Sequence, residues 1–565
     1  MSKGGLEPGE ELLSHSKSLC PVCLRALPAS LVSTADGETY IRRVCPEHGP
    51  FSGLIWKGAP ALKDWRRAKA PAISVRRETG GNKGCPHDCG RCPEHKQHAC
   101  TVLFEITRHC NLHCPVCFAD AGKSREELPD TSAVPGPGMG LDAGRGRDAE
   151  RGRDAGATPC AAPAVAARSL GEPEAFTPLE TLLEQLRWIR AHAGEVVLQI
   201  SGGEPTLHPE LPALIRAGRE LFPAVQLNTN GLLLADRAGF AEALAAAGLS
   251  WVFLQFDGTD DAIFISLRGR ALLQKKLRAI ERCKEAGLSV VLVPTVAAGV
   301  NDRDLGNILR LALRHAPTVR GVHLQPMTAA GRNMLAGKAG QSRSLTLPEV
   351  LQKICEQSDG LMRPEHATPP GCEHERCSFH CRYSISPSGS LRPLRAGEGQ
   401  SGPCCPSAPA DDCCSREKEA TGAEDQGLRR AIDTILRSWQ GPDSDPGARP
   451  SVAARERKAG PGSPDSPDSR DSPDLPGAPG GADGAGVPGE SGPSGAFDAL
   501  DSFIAQARNR SFSVTCMAFQ DAWNVDLERL QGCCVHVFDP SLRLIPFCAR
   551  NMTALDGRAL HPRGW

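Results

Sequence analysis

From residue 177 to about 357 the chain alternates between two hydrophobic patterns. Runs apolar at nearly every position (EVVLQI, VQLNTNG, SWVFLQFDG, SVVLVPTV, GVHLQPMT) alternate with segments apolar at every third or fourth position, such as TPLETLLEQLRWIRAHAG and DLGNILRLALRHA. The first pattern predicts parallel strands covered on both faces, and the second predicts amphipathic helices. With TVLFEIT at 101–107, six strands joined by helical crossovers are predicted, an α/β partial (β/α)6 barrel over 101–357. Thr177 and Glu180 are spaced for a capping box on the first helix. The strands end at SGGEP, NTNG, QFDG and QPMT. Barrels of this type carry their chemistry at that end, so one shared pocket is expected there.

The flanking sequence divides differently. Residues 1–60 read as a metal-knuckle module, 81–100 as a cysteine-bearing segment, and 358–395 with 497–565 as a C-terminal cysteine-rich region. The spans 125–172 and 396–496 are rich in Gly, Pro, Ala, Asp, Ser and Arg without a hydrophobic period, and read as two long disordered insertions. Lys and Arg total 65 against 66 Asp and Glu, so no nucleic-acid surface or polybasic membrane patch is expected. The N-terminus lacks the apolar core of a signal peptide, and the longest apolar stretch, around Val290–Val300, is too short to span a bilayer. A cytoplasmic chain without a transmembrane segment is the expectation.

Cysteine changes the picture. The 24 cysteines are clustered, which in a chain without a secretion signal reads as metal or cluster ligation. Cys110, Cys114 and Cys117 form a Cys-x3-Cys-x2-Cys loop directly after the first barrel strand. Three thiolates can hold three corners of a [4Fe–4S] cluster and leave one iron open, where S-adenosylmethionine (SAM) can bind. SGGEP follows at the next strand end, where Gly202 and Gly203 allow close main-chain approach to the SAM amino group and Glu204 offers a carboxylate acceptor. Asn228, Asn230, Gln255, Asp257, Arg268 and Gln325 lie at or just beyond other strand ends, and are candidates for SAM contacts or for structural hydrogen bonds.

Other ligand sets surround this loop. Cys20, Cys23, Cys45 and His48 form two knuckle pairs, the donor set of a mononuclear Zn or Fe site. Cys85, Cys89, Cys92 and Cys100 read as a four-thiolate set for an auxiliary [4Fe–4S] cluster, with zinc as the alternative. Cys372, Cys377, Cys516, Cys534 and Cys548 are candidates for a further auxiliary cluster.

The segments CPVC…CPEHG, CPHDCGRCPEHKQHAC, CNLHCPVCFAD, SGGEPTLHPEL, LQFDG…LRGR and VVLVPTVAAGVND resemble the radical SAM family that contains tetraether lipid synthase and a pterin methylase. The C-terminal CMAFQDAWNVDLERLQGCCVHV…LIPFCARNMT is similar to the TrsS-type radical SAM (seleno)proteins. The resemblance implies a radical SAM barrel, a SAM-binding cluster on Cys110, Cys114 and Cys117, and auxiliary metal sites. It further implies an enzyme that reductively cleaves SAM to a 5′-deoxyadenosyl radical for C–H activation. The outcome would be C–C bond formation, carbon transfer, or modification of a protein or peptide. An electron donor of ferredoxin or flavodoxin type is implied, and a small-molecule, lipid or protein substrate. The alternative from another class is a non-catalytic multi-cluster iron–sulfur electron carrier or scaffold, which has no use for an open-iron loop paired with SGGEP.

Overall fold

The computed structural model describes residues 6–67, 79–122, 176–333, 344–386, 389–394, 429, 432–440 and 510–562. The predicted insertion 125–172 and most of 396–496 lie outside the described residues. The N-terminal module is a four-stranded antiparallel meander, β1 (Glu11–Leu19), β2 (Ala26–Ser33), β3 (Thr39–Cys45) and β4 (Gly49–Trp56). The buried Arg43 docks it on the C-terminal region, donating from Nη1 to Trp523 O at 2.7 Å and from Nη2 to Ala522 O at 2.8 Å. The approach is close enough to require Gly53, where a Cβ would lie 2.0 Å from the Trp523 carbonyl oxygen.

The predicted strands form in the predicted order. β5 (Thr101–Glu105) is followed by the two-residue β6 (Val116–Cys117), then by β7 (Val197–Ser201), β8 (Ala224–Thr229), β9 (Trp251–Gln255) and β10 (Val290–Val293). After the short β11 (Thr295–Val296) comes β12 (Val319–Pro326). β5, β7, β8, β9, β10 and β12 are parallel neighbours in that sequence. Helices α1 (Leu179–Ala193), α2 (Leu211–Leu221), α3 (Leu232–Asp236), α4 (Phe240–Ala246), α5 (Asp261–Arg268), α6 (Leu273–Glu285) and α7 (Leu305–Arg314) make the crossovers. α2 shows why: Leu211, Leu214, Ile215 and Gly218 recur at helical spacing and are buried against the sheet. One local expectation fails. α1 begins after Pro178 with no side-chain cap, because Thr177 O accepts a hydrogen bond from His208 Nε2 at 3.0 Å and is held outside the helix. A capping pair forms instead at α8 (Leu347–Gln357), where Thr346 N donates to Glu349 Oε2 at 2.8 Å.

The C-terminal region extends the sheet at both edges. After β13 (Arg332–Asn333), β14 (Ser378–Ile385) and β15 (Leu391–Pro393), β16 (Ser511–Met517) pairs parallel to β12. β17 (Val535–Asp539) pairs parallel to β5 at the opposite edge, and β18 (Arg543–Pro546) closes that side as an antiparallel hairpin. The barrel therefore gains a parallel strand on each side, with the segment 518–534 running between them. Among the described residues no pairing joins β16 to β17.

The span 396–496 is not without structure throughout, and this corrects its reading as one disordered insertion. Residues 432–439 are helical, and Trp439 is buried among Val197, Ala224, Trp251, Phe253 and Val291. An amphipathic stretch, AIDTILRSW, is embedded in low-complexity sequence, and burial of its apolar face orders it. Among the described residues no helix is long and apolar enough to cross a membrane.

Candidate active site

The loop carrying Cys110, Cys114 and Cys117 follows β5 and is held by its carbonyl groups. Just beyond β7, Gly203 N donates to Thr107 O at 2.7 Å and Glu204 N to His109 O at 2.8 Å. Arg268 Nη1 donates to Val116 O at 3.0 Å, and Arg332 Nε to Cys114 O at 2.8 Å. β13 pairs antiparallel with β6, placing Arg332 opposite Cys117. The paired glycines are a steric requirement: a Cβ on Gly202 would lie 2.3 Å from Thr107 O, and one on Gly203 2.4 Å from His109 O. The N–H groups of Gly203 and Glu204 thus fasten the cysteine loop.

Burial pushes the Cys110 thiol up to about 12, with the Glu204 carboxylate adding to the effect. Burial also raises Cys114, opposed by the neighbouring Arg268 guanidinium. Both thiols stay protonated until a soft metal displaces the protons. Cys110, Cys114 and Cys117, on one carbonyl-clamped loop and all lining a cavity, fit a cluster held at three corners.

That cavity measures about 310 Å³. Of the residues predicted for cofactor binding, Gly202, Gly203, Glu204, Asn228, Asn230, Gln255, Arg268 and Gln325 line it. Asp257 does not. It is fully buried behind Arg268, pairing Oδ2 with Nε and Oδ1 with Nη2, both at 2.7 Å. Burial works against the Arg268 charge, and the Asp257 carboxylate more than offsets it, so the guanidinium sits above its ordinary range. Arg268 therefore carries cation and loop clamp together.

Glu204, which lines the cavity, is also tied into the protein. Its Oε1 accepts from Thr206 N (3.1 Å), Thr206 Oγ1 (2.5 Å) and Thr229 Oγ1 (2.7 Å), and its Oε2 accepts from Asn230 N (2.8 Å). A carboxylate offers about four acceptor positions, so Glu204 acts mainly as a brace between the β7 and β8 ends. Asn230 is likewise committed, donating to Asn111 Oδ1 at 2.7 Å. Lys276 escaped the sequence reading. It is fully buried on α6, donating to Asn230 O (2.6 Å) and to Gln255 Oε1 (3.0 Å), and burial lowers it to about 8. The only sequence signal was a lysine on the apolar face of a helix.

The ligands of the N-terminal module assemble as predicted: the ligand atoms of Cys20, Cys23, Cys45 and His48 lie within 4.8 Å of one another. His48 Nδ1 lies 3.6 Å from Cys20 Sγ and 3.4 Å from Cys45 Sγ. Tetrahedral thiolate sites need sulfur separations of about 4 Å, given metal–sulfur bonds near 2.3 Å.

The predicted set Cys85, Cys89, Cys92 and Cys100 is divided between two neighbourhoods. Cys89 remains hydrogen-bonded to Cys85 with Cys92 close by. Cys100, at the foot of β5, instead joins Cys372 and Cys534, with the three sulfurs within 4.8 Å of one another. The reason is β17, whose pairing to β5 brings Cys534 alongside Cys100, as Cys100 N donating to Cys534 O at 2.9 Å shows. Cys377 accepts from Arg529 Nε at 3.0 Å, and Cys548 accepts from Gln520 N at 3.3 Å. Cys516 is a core thiol: it points from β16 into the apolar cluster with Phe379, Cys381 and Tyr383. Cys533, one of the C-terminal cysteines among which the sequence does not choose the ligands, lies electrostatically close to Cys377 and Cys548. Its signal was the adjacent pair Cys533–Cys534, since neighbours in an extended segment face opposite ways.

Residues 104–312 match the model of the radical SAM superfamily, and residues 12–57 match the HMPTM N-terminal zinc ribbon domain. Over 549 residues the chain is 29% identical to 7,8-dihydro-6-hydroxymethylpterin dimethyltransferase of Methanocaldococcus jannaschii, covering 94% of this chain and 92% of that one. It is 34% identical over 161 residues to GTP 3′,8-cyclase of Chlorobaculum tepidum, covering 27% of this chain and 48% of the cyclase. The solved structure of Streptococcus suis SuiB bound to precursor peptide SuiA is a distant likeness, with a TM-score of 0.31, 14% identity and 46% of each chain covered.

Proposed function

The chain being a radical SAM enzyme with an N-terminal zinc ribbon, we propose that it adds one-carbon units to a small, nitrogen-rich heterocycle of the pterin type. The row of amide side chains on neighbouring strands carries this reading. Gln199, Gln226, Asn228, Gln255 and Gln325 all line the cavity. Gln226 is spent within the wall, accepting from Trp251 Nε1 at 2.9 Å and donating to Asn228 Oδ1 at 2.6 Å, and Gln255 Oε1 accepts from Lys276. The other amide donors and acceptors suit the alternating ring nitrogens and exocyclic groups of a heterocycle. At about 310 Å³ the cavity has the size of a small-molecule site. The relation to the pterin dimethyltransferase over nearly the whole chain supports the same substrate class.

When bound at Cys110, Cys114 and Cys117, a cluster with SAM supplies hydrogen abstraction from an unactivated C–H bond. The chain's own residues fix the geometry. Arg268 and Arg332 hold the carbonyls of the cysteine loop. Glu204 ties the ends of β7 and β8 together. Trp439 closes the cavity at the foot of the barrel. A ferredoxin or flavodoxin type of donor fits the need for a reductant.

The test is anaerobic turnover of reconstituted protein with SAM as radical source, a strong reductant, 6-hydroxymethyl-7,8-dihydropterin and a carbon donor, supplied either as the methyl of a second SAM or as a reduced methylene carrier, followed by mass spectrometry. Methylated pterin together with 5′-deoxyadenosine is expected. Formation of 5′-deoxyadenosine with unmodified pterin, and product from alkyl lipids or peptides instead, would sink the substrate reading.

A further inference from the structure

Among the described residues two groups bring three or more ligand atoms within 4.8 Å, and they differ in one respect. The ribbon group is complete, with four donors, whereas Cys100, Cys372 and Cys534 have no fourth. We propose that this second group is an iron centre whose open position faces the cavity and accepts a ring nitrogen or oxygen of the substrate. The proposal rests on the heterocycle reading above for the identity of that donor.

The placement of the three thiols carries the argument. They come from the foot of β5, the loop before β14 and the residue preceding β17, so sheet assembly itself creates the site. Cys100 lines the cavity, as do its neighbour Thr101 and the residues following the other two thiols, Glu373 and Val535. Cys100 is thus the member of the group that gives onto the cavity, and a position open beside its sulfur would face that space. The same cavity holds Cys110, Cys114 and Cys117. A substrate bound to the open position would thus share one enclosed space with the SAM loop.

Among the described residues, no further His, Cys, Asp or Glu brings a ligand atom within 4.8 Å of all three sulfurs. Cys377 is engaged by Arg529, and Cys533 Sγ donates to Val535 O at 3.2 Å. His98 is close enough to interact with Cys100, yet its ring nitrogens fall outside the group and have no hydrogen-bond partner. Three thiolates on a metal with one free position make a Lewis acid, which takes lone pairs from nitrogen or oxygen donors. The shared chemistry is the open iron, either as one corner of a cluster or as a single ferrous ion.

The experiment uses full-length protein carrying Cys110→Ala, Cys114→Ala and Cys117→Ala, which removes the SAM-site cluster, loaded anaerobically with 57Fe. Mössbauer spectra are recorded with and without cyanide. Cyanide is expected to shift one iron subspectrum, and adding Cys372→Ala to remove that subspectrum. Loss of about four irons per chain with Cys372→Ala identifies a cluster, and loss of one a single ion. Cys534→Ser provides the same reading if Cys372→Ala does not fold. Iron unmoved by cyanide, a cyanide shift that survives both variants, a shift that appears only after His98→Ala, or loss of zinc in place of iron would each overturn the proposal. Next, 6-hydroxymethyl-7,8-dihydropterin is added, with binding measured by equilibrium dialysis. Binding with a shift of the same subspectrum supports the donor assignment, and binding without a shift overturns it. No binding at all counts against the substrate reading, and the cyanide result still decides the open iron.

Discussion

The ribbon and the cavity wall both gather thiols, but by different means. In the ribbon all four ligands fall between Cys20 and His48, on two tight connections of one meander. At the wall, Cys100 and Cys534 are 434 positions apart and meet because β17 lies along β5. The first site is encoded by local spacing. The second is a product of sheet topology, so it should respond to any change that moves the barrel edges. The cysteine loop of Cys110, Cys114 and Cys117 lies between these extremes: its ligands are local, and its shape is imposed by distant arginines and glycines.

The largest expected effect comes from breaking that imposed shape. Arg268→Met leaves Asp257 buried and unpaired, which costs about 3–5 kcal/mol in comparable cases. It also frees the carbonyl of Val116, next to the last loop cysteine. Iron bound at the SAM site should fall sharply while ribbon metal stays near one equivalent, read by metal analysis and thermal unfolding of the variant and the wild type side by side. Equal loss at both sites would show that the ribbon is not independent. Gly203→Ala should follow in size. Its Cβ would meet two loop carbonyls closer than 3 Å, so the loop must move, at about 1–3 kcal/mol. Unchanged SAM-site iron in that variant would mean that the loop adjusts freely.

The same contrast explains what could be read from the sequence. Six strands, their order, the open-iron loop and the ribbon ligands all depend on periodicity or short spacing, and were legible. The partners of Cys100 were not, because nothing near Cys100 specifies which strand lies at its edge. Cys516 counted as a ligand by composition, yet β16 turns it into the apolar core. Glu204 was read as a cofactor group because its motif marks a site, and the motif is silent on the three hydroxyl and amide donors that occupy its Oε1. The helix 432–439 was hidden by the composition around it.

A smaller and pH-dependent effect is expected at Lys276. Burial lowers its ammonium from the ordinary 10.5 to about 8. The unfolded chain therefore holds a proton that the folded one releases between those values, and stability from this group rises as pH climbs from 8 to 10.5. Below 8 the buried charge carries its full cost, about 3 kcal/mol. Lys276→Met should remove this slope and unfold at equal or higher temperature near neutral pH, despite losing the contacts to Asn230 and Gln255. A wild-type melting profile flat across that pH interval would contradict the assignment.

The smallest effect sharpens the comparison most directly, because it holds geometry constant. Arg25 and Glu47 flank the ribbon knuckles with N and O atoms 2.7 Å apart, the same separation as Arg268 and Asp257. The first pair is 53% exposed on both sides, and the second is 6% and 0% exposed. Water and salt screen the exposed pair, so Arg25→Ala should change stability by less than about 1 kcal/mol and leave ribbon metal in place. The buried pair has no solvent to take over when one partner goes. Measured in one background by thermal unfolding at low and high salt, the Arg25 variant should converge on wild type as salt rises, and the Arg268 variant should not. If the two variants lost similar stability, burial would not be what separates them, and the ribbon knuckle would need support from beyond its own four ligands.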